Sequence, residues 1–409
     1  MEKYWVNWSE LNSILLSTKK KIVLFGRSED WIPKALKKIS KKKILICDSN
    51  KFYDNKEFDG VKIFHKSKFF KNPKKYFFII STGSYESVIY ELRKKNLQPG
   101  NDFVCLPDFY DFAFLDNLRK KSGKIIISSS DQMKKKATRY SLLGGGIFEL
   151  TFDEKSSIIR KKINGSFRQI CRLSKTKYAA NEYSGRIIIF DNNFKKIKTI
   201  KTNIKNMCGL AYIDDKEVLV TTSQTSDCFY LICINKGKIL KRYDFSSKEN
   251  EHDSKHHLND ILYYDKQIFF TFFSSTGHWK NGLFNGGLGS LNLRTSKIDI
   301  ITNNSIQPHT PREINGAISY CDSGNARVEM GGQQKNIEFE GFIRGLESYK
   351  NYVFVGQSET MYLTRMQRIG KNINISSGIY MVDVENNCKR FLSTQGICNI
   401  HDLLVKDLK

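Results

Sequence analysis

Short apolar runs, each preceded by a polar phrase and followed by a turn, recur along the chain from residue 167 onwards. The runs include Glu217-Val-Leu-Val-Thr-Thr and Gln267-Ile-Phe-Phe-Thr-Phe, whose β-branched and aromatic content is typical of strands. The polar phrases return at intervals of roughly 35–55 residues, which indicates a structural repeat. Six such units predict a β-propeller with one unit per blade. The phrases are Phe167-Arg-Gln-Ile-Cys171, Met207-Cys-Gly-Leu-Ala-Tyr212, His256-His-Leu-Asn-Asp-Ile261, Pro308-His-Thr-Pro-Arg312, Phe342-Ile-Arg-Gly-Leu346 and Asn399-Ile-His-Asp-Leu403.

The N-terminal part follows a different pattern, in which buried strands alternate with helices. Strands are predicted at residues 21–26, 43–48 and 76–81, and helices at residues 31–39 and 85–96. This alternation predicts a parallel sheet of the Rossmann-like kind. The fold class is therefore mainly β, a six-bladed β-propeller at residues 124–409 preceded by an α/β Rossmann-like domain at residues 1–117. Residues 118–123 are expected to be a linker, and the C-terminal strand is expected to join the segment at Gly144 and close the ring.

Two residues of the N-terminal domain suggest a cofactor site. Gly26 ends the first predicted strand and Asp48 ends the second, where a ribose-binding acid would lie. The loop after the first strand nevertheless reads Gly26-Arg-Ser-Glu-Asp-Trp31 instead of Gly-x-Gly-x-x-Gly, and Glu29 and Asp30 would repel a pyrophosphate. We therefore do not expect NAD. A degenerate structural domain, or one that binds a smaller sugar or a partner, stays open.

Composition narrows the class of protein. The 409 residues are 40% hydrophobic and 12% aromatic, as in globular proteins, and no apolar run is long enough to span a bilayer. The N-terminus lacks the features of a signal peptide, so a cytoplasmic location is expected. The nine cysteines are scattered without a Cys-x-x-Cys pair, which favours neither disulfides nor a zinc site.

The net charge of +25 raises the question of nucleic acid. The lysines are spread in short clusters, and no known nucleic-acid-binding motif accompanies them. We expect no specific nucleic-acid partner and ascribe most of the excess to an AT-rich genome. Attraction to anionic membranes or glycan carriers is the alternative.

The polar phrases hold the candidate chemistry, because equivalent blade loops would converge on the propeller axis. His257, His309 and His401 are the catalytic candidates, since imidazole exchanges protons near neutral pH, and Asp260 and Asp402 would orient them or take part. Two buried arginines would require anions. The ligand-binding candidates are Asn259, Arg312, Arg344, Gln357 and Asn315. A divalent metal held by Asn259, His309 and Asp402 is a further option, and a structural role as ties between blades is the alternative for each residue.

Residues 124–409 resemble an uncharacterised bacterial family of six-bladed propellers, a domain of unknown function. The matching phrases are Pro308-His-Thr-Pro-Arg312, Cys321-Asp-Ser-Gly324, Glu340-Gly-Phe-Ile-Arg-Gly345 and Phe354-Val-Gly-Gln-Ser358. The N-terminal domain resembles the Rossmann-like domains of bacterial enzymes that modify nucleotide sugars for polysaccharide biosynthesis, through its strand-glycine turn, Asp48 and the segment Ser81-Thr-Gly-Ser-Tyr-Glu-Ser-Val-Ile89. The first resemblance implies architecture, and the second implies a surface-glycan context.

Two functions follow from these observations. The first is a cytoplasmic surface-glycan biosynthesis protein that binds an anionic sugar or nucleotide sugar on the axis and performs acid/base chemistry, such as epimerisation, elimination or hydrolysis. The second is a non-catalytic scaffold that recognises a glycan or a partner protein, with the N-terminal domain docking a pathway enzyme. Whether the protein is an enzyme stays open at this point.

Overall fold

The computed structural model of the protein describes residues 2–39, 44–133, 140–246, 255–332, 335–359 and 374–409. The chain divides into two compact units, Met1–Asn117 and Leu118–Lys409. We refer to them as the N-terminal unit and the propeller.

The N-terminal unit is an α/β structure. Its helices are α1 (Trp8–Ser17), α2 (Ile32–Lys38), α3 (Lys66–Phe70), α4 (Tyr85–Lys94) and α5 (Tyr110–Lys120), with 3-10 turns at Lys51–Tyr53, Pro73–Lys75 and Pro107–Phe109. Its strands are β1 (Lys21–Phe25), β2 (Ile44–Asp48), β3 (Glu57–Phe58), β4 (Val61–His65), β5 (Tyr76–Ile80) and β6 (Phe103–Cys105).

Five of these strands form a parallel sheet in the order β4-β2-β1-β5-β6, and β3 pairs with β4 in the antiparallel sense. The central strands β1 and β5 are buried along residues 22–25 and 77–80, which explains their continuous apolar sequences. The predicted strands at 21–26, 43–48 and 76–81 are present, each with one end shifted by one residue. The helix α5 continues to Lys120 and so includes the first residues of the segment expected to be a linker.

The propeller consists of short antiparallel strands. In chain order they are β7 (Gly123–Ser129), β8 (Gly146–Phe152), β9 (Ser157–Asn164), β10 (Phe167–Arg172), β11 (Lys177–Glu182), β12 (Arg186–Asp191), β13 (Lys196–Lys201), β14 (Met207–Ile213), β15 (Val218–Ser223), β16 (Cys228–Cys233), β17 (Ile239–Asp244), β18 (Leu258–Tyr264), β19 (Gln267–Phe272), β20 (Gly287–Asn292), β21 (Ile298–Ile300), β22 (Pro308–Ile314), β23 (Ala317–Asp322), β24 (Arg327–Glu329), β25 (Ile337–Glu338), β26 (Phe342–Tyr349), β27 (Tyr352–Ser358), β28 (Gly378–Asp383), β29 (Cys388–Ser393) and β30 (Asp402–Leu408). The 3-10 turns are Asp214–Lys216, Trp279–Asn281 and Ser323–Asn325.

In the described part of the chain these strands form six four-stranded sheets. Five sheets are consecutive, namely β10–β13, β14–β17, β18–β21, β22–β25 and β26–β29. The sixth has the order β30-β7-β8-β9, so strands from both ends of the propeller share one blade, with Leu403 opposite Ile127. The predicted six-bladed propeller and its closure beside the Gly144 segment are both confirmed.

The blades stack face to face around an axis. Their first strands, β10, β14, β18, β22, β26 and β30, each contact the first strand of the next blade, and the contact between β30 and β10 completes the ring. Apolar side chains fill the space between neighbouring blades, as where Val220 and Phe229 pack with Ile261 and Phe270. Burial of such surfaces between blades is the main source of stability for this architecture.

Candidate functional site

The polar phrases, which the sequence suggested were loops, form the innermost strands. The first strands of five blades contain a bulge at the equivalent position, namely β10, β14, β18, β22 and β26. In β18, for example, Leu258 lies opposite Phe272 and the next pair is Ile261 with Phe270, which leaves Asn259 and Asp260 out of register. Bulges interrupt the alternation of polar and apolar residues and turn side chains away from the sheet. For this reason the phrases did not resemble strands.

The bulges place two sets of residues around the axis. The first residue of each bulge, with His401 directly before β30, makes up the mouth ring: Arg168, Cys208, Asn259, Thr310, Arg344 and His401. The residues that follow them make up the closing ring: Gln169, Gly209, Asp260, Pro311, Gly345 and Asp402. The two rings differ in what their side chains contact.

Asp402 connects three blades. Its Oδ2 accepts the N–H of Ile170 at 3.0 Å, and the N–H of Leu403 donates to Oδ1 at 2.9 Å. From across the axis, Arg312 Nη2 lies 2.9 Å from both carboxylate oxygens. Burial raises the pKa of the Asp402 carboxyl to about 7, while Arg312 and the N–H of Ile170 act in the opposite direction.

Gln169 and Asp260 make equivalent ties between other blades. Gln169 Oε1 accepts the N–H groups of Leu210 at 2.8 Å and Ile261 at 3.0 Å, and its Nε2 donates to the Ile261 carbonyl at 2.7 Å. Asp260 Oδ2 accepts the N–H of Thr310 at 2.9 Å and its hydroxyl at 3.1 Å. The bulges free these N–H groups from the sheet, and buried donors need partners. The closing ring therefore serves the backbone, including two residues, Asp260 and Asp402, that the sequence suggested for catalysis.

Glycine is required at one point of this ring. Gly345 has a φ of +76°, and a Cβ there would lie 3.2 Å from the Asp402 backbone. Its N–H donates to Thr310 Oγ1 at 3.0 Å, which joins two further blades. A side chain would therefore meet both backbone strain and crowding.

Arg312 faces away from the mouth ring. Its Nη1 donates to the Pro311 carbonyl at 2.9 Å, and its Nε lies 3.7 Å from Glu347 Oε2. Arg172 Nη2 donates to the other oxygen of Glu347 at 3.3 Å. Both arginines and Glu347 line a cavity of about 230 Å³. Arg312, expected to clamp a ligand, is thus engaged with carboxylates of the protein itself.

At the mouth ring, two arginines from different blades meet one imidazole. Arg168 Nη1 lies 3.3 Å from both ring nitrogens of His401, and Arg344 Nη1 lies 3.4 and 3.5 Å from them. The nearly equal distances to both nitrogens show that neither guanidinium group is in line with a single lone pair of the ring. Ser130 Oγ is 2.7 Å from His401 Nε2. Each arginine also lies over an aromatic ring, Arg168 over Tyr183 and Arg344 over Phe342.

The two other candidate histidines border the same ring. His309 Nδ1 is 2.8 Å from Ser323 Oγ, and its ring is fully enclosed. Burial lowers the pKa of His309 well below its usual value, and the positive charge of Arg344 and the imidazole of His257 lower it further. His309 is therefore neutral at physiological pH.

His257 belongs to an aromatic group at the mouth. Its ring stacks on Phe273, with centroids 4.0 Å apart, and meets the edge of Trp279 at 4.4 Å. Gln224 Nε2 is 3.1 Å from His257 Nδ1. Phe273 contacts both His257 and His309. Phe342 contacts His309 and Arg344, and Arg344 contacts His401, so the three imidazoles of the sequence prediction border one region of the molecule.

Two predicted ligand-binding residues lie elsewhere. Asn315 is in the turn between β22 and β23 and lines a groove of about 750 Å³ whose lining includes no member of either ring. Gln357 is buried in β27, where its Nε2 donates to the carbonyls of Asn374 at 3.3 Å and Ser376 at 2.8 Å. Asn315 is thus a turn residue, and Gln357 fixes the segment that precedes β28.

The glycine turn of the N-terminal unit is filled by protein atoms. A Cβ at Gly26 would lie 2.4 Å from Thr82, and Ser81 Oγ donates to the Gly26 carbonyl at 2.8 Å. The Asp48 carboxylate accepts the N–H groups of Arg27 at 3.0 Å and Asn50 at 2.7 Å. These contacts occupy the acid that would bind a ribose. The residues at this turn do not fit a pyrophosphate.

Within the described ranges, no three or more His, Cys, Asp or Glu side chains are placed to hold a metal ion. Of the metal candidates Asn259, His309 and Asp402, the last is occupied by Arg312 and backbone N–H groups.

Sequence reasoning missed Arg168, Gln169 and Ser130. A signal for the first was present, because Arg168 lies two residues before the apolar Ile170, as Arg344 lies two residues before Leu346. Aligning the phrases on this apolar residue would also have paired Gln169, which precedes Ile170, with Asp402, which precedes Leu403. Ser130 lies outside every phrase, and only the closure of the ring brings it to His401.

No helix in the described ranges combines the length and apolar character needed to cross a bilayer. The model of a domain of unknown function, DUF4915, matches residues 240–405. A comparison with curated proteins finds no match. One chain of the crystal structure of a nidogen/laminin complex is 9% identical, with a TM-score of 0.50, and the match covers 70% of this chain and 98% of that one. A protein of unknown function from Bacteroides caccae is 11% identical with a TM-score of 0.46, covering 69% and 98%. The likeness to the first structure shows the fold alone: the chain carries a six-bladed β-propeller, most of whose second half matches this domain of unknown function.

Proposed function

We propose that the propeller binds a small anionic molecule at the mouth ring. The observation that carries the proposal is the approach of Arg168 and Arg344, from two different blades, to the single imidazole of His401. Guanidinium groups are donors only and are always charged, so each favours an acceptor with negative charge. An anion held between them would receive hydrogen bonds from two blades at once.

Electrostatics supports the same occupant. Arg168 Nη1 lies 3.3 Å and Arg344 Nη1 lies 3.4 Å from Nδ1 of the same imidazole. Two positive charges this close to one another repel each other by roughly 2 kcal/mol at an effective dielectric constant of about 20. A carboxylate or phosphate bound between Arg168 and Arg344 would offset this repulsion with charge-assisted hydrogen bonds. The Asp260 carboxylate accepts hydrogen bonds from Thr310, and the positive charge of Arg344 partly offsets the burial that raises the pKa of Asp260. Arg312 is paired with Asp402 in the closing ring.

The ligand class we propose is a carboxylated or phosphorylated sugar, or a nucleotide sugar. Trp279, which is half-buried beside His257, offers an aromatic surface for a sugar ring. The surface-glycan context rests on the resemblance of the N-terminal unit to Rossmann-like domains of nucleotide-sugar-modifying proteins. Its parallel strand order β4-β2-β1-β5-β6 is compatible with that resemblance, and we propose a pathway enzyme as its partner. Nine free cysteines suit the proposed cytoplasmic location.

Recognition is favoured over catalysis at this site. Asp260 and Asp402 accept backbone N–H groups, and burial and neighbouring cations make His309 a poor base. The second candidate is acid/base chemistry on the bound sugar. It is favoured by one observation, namely that His257, His309 and His401 border the same mouth. Turnover of a bound sugar, lost on replacing His257 or His401, would select this candidate.

Thermal shift measures binding because a ligand that binds only the folded protein stabilises it, by about 2.7 kcal/mol at 100 times its Kd. The probes are glucuronate, glucose 1-phosphate and UDP-glucuronate, with glucose as the neutral control. We expect at least one anionic probe to raise the melting temperature, and the shift to disappear in Arg168→Gln and Arg344→Gln. Arg294→Gln, at an exposed turn residue, is the matched control. A shift that persists in both mouth variants, or equals that of glucose, contradicts the proposal.

A further inference from the structure

The outer strands of two neighbouring blades carry a concentration of positive charge. We define the basic edge as residues 196–201, which form β13, and residues 235–244, which include β17. It contains seven cationic residues and one acidic residue, Asp244. The cationic residues are Lys196, Lys198, Lys201, Lys236, Lys238, Lys241 and Arg242. The outer strands of the next two blades, β21 and β25, contain Asp299 and Glu338 and no lysine or arginine. The basic edge therefore carries more positive charge than the outer strands of the two blades that follow it in the chain.

The two parts of the basic edge adjoin. Lys198 Nζ donates to the Asn235 carbonyl at 2.9 Å, which links β13 to the turn before β17. A Cβ at Gly237 of that turn would lie 3.4 Å from Ile200. Adjacent outer strands of two blades thus present one surface to solvent.

Large aliphatic side chains are exposed among these cations. Ile197 is 51% exposed in β13, and Ile239 and Leu240 are 44% and 56% exposed in β17. Lysines on an outer strand have a simple structural explanation, because they keep the unpaired edge of a sheet from pairing with another chain. That need does not explain three exposed aliphatic residues between them.

We propose that the basic edge docks on the surface of an anionic lipid bilayer. The lysines and Arg242 would pair with lipid head groups, at a contribution that falls off within a Debye length. Ile197, Ile239 and Leu240 would enter the boundary between head groups and acyl chains, as apolar residues of interfacial elements do. A soluble polyanion would use the cations and leave these apolar groups in water. The proposal is independent of the anion site on the axis, so either can fail alone.

The test is co-sedimentation of the full-length protein with vesicles at physiological ionic strength. One vesicle is an equimolar mixture of phosphatidylglycerol and phosphatidylcholine, and the other is phosphatidylcholine alone. We expect binding to the first and none to the second. Replacing Lys196, Lys198 and Lys201 together by Thr should weaken binding about 100-fold, because each lysine near an anionic surface contributes about a factor of five.

The matched control removes the same charge from α2 of the N-terminal unit, through Gln at the exposed Lys34, Lys37 and Lys38, and should change binding less than about threefold. Calorimetric melting of each variant checks that it is folded. If the control variant bound the anionic vesicles as weakly as the edge variant does, binding would depend on total charge alone, and the proposal would be overturned. Absence of binding to the anionic vesicles also overturns it.

The apolar residues distinguish a bilayer from a polyanion. Replacing Ile197, Ile239 and Leu240 by Thr keeps every charge, and we expect it to weaken vesicle binding about tenfold or more and to leave binding to polyphosphate unchanged. Equal vesicle binding by this variant and the unaltered protein would reject the bilayer and assign the surface to a soluble polyanion.

Discussion

Replacing Arg312 by methionine tests whether charges across the axis hold the blades together. The Arg312 guanidinium group donates to both oxygens of Asp402 and lies 3.7 Å from Glu347. Methionine keeps much of the apolar stem and removes every donor. Two buried carboxylates then lose the cation between them, and the propeller should become less stable.

The magnitude follows from what remains after the change. Removing one partner of a buried ion pair costs about 3–5 kcal/mol. Two features favour the lower figure: burial raises the pKa of Asp402 to about 7, so that it can take up a proton, and Glu347 keeps Arg172 at 3.3 Å. We expect a loss of about 3 kcal/mol in the free energy of unfolding, against a usual total of about 5–15 kcal/mol. The melting temperature should fall by roughly 6–12 °C.

Scanning calorimetry suits this measurement because the chain has two units that need not unfold together. A double-mutant cycle with Asp402→Asn isolates the pair. The double variant should be more stable than the sum of the two single losses predicts, by about 1–3 kcal/mol. Additive losses, or a loss under about 1 kcal/mol for Arg312→Met, would refute the structural role assigned to this pair.

Two further predictions concern the mouth and the closing ring. His309→Asn should reduce the loss of the free energy of unfolding that occurs as the pH is lowered. Burial and nearby positive charge lower the pKa of His309, so below about pH 6.5 the unfolded chain binds a proton that the folded protein does not. This proton lowers the stability of the unaltered protein by up to about 1.4 kcal/mol per pH unit. Urea unfolding at several pH values checks this, and an unchanged slope in the variant would contradict it. Gly345→Ala should lower the melting temperature clearly more than Gly316→Ala, because both have positive φ but a Cβ at Gly316 meets no atom within 4 Å. Equal effects would show that crowding at Asp402 is unimportant.

The architecture could be predicted from the sequence because the same pattern, a polar phrase followed by an apolar run, occurs in each of the six units. Apolar runs such as Gln267-Ile-Phe-Phe-Thr-Phe indicated the second strand of a blade, and β19 lies there. The match of His401-Asp402 to an internal phrase indicated that the last strand closes the ring, and the pairing of Leu403 with Ile127 confirms it. In the N-terminal unit the helices and the parallel sheet are present, and its Rossmann-like identity stays a prediction.

The site was harder to predict, because bulges and long-range closure decide it. A polar phrase on a strand with a bulge has the composition of a loop, so the first strands of the blades were misassigned. The sequence also does not show which way a side chain at a bulge faces. Arg312 and Arg344 looked equivalent, yet Arg312 contacts Asp402 and Arg344 contacts His401. Asn315 suited a ligand by type, whereas its φ of +52° explains it as a turn residue. The ligand-binding and catalytic roles stay predictions.

The central claim is that the mouth ring binds an anion and the closing ring holds the blades. Isothermal titration of glucuronate, or of another anionic sugar that stabilises the protein, into the unaltered protein, Arg344→Gln and Arg312→Gln tests it most directly. We predict that Arg344→Gln loses binding while its melting temperature stays within a few degrees, and that Arg312→Gln melts lower but keeps its affinity. Binding that survives in Arg344→Gln and is lost in a folded Arg312→Gln protein would contradict the account.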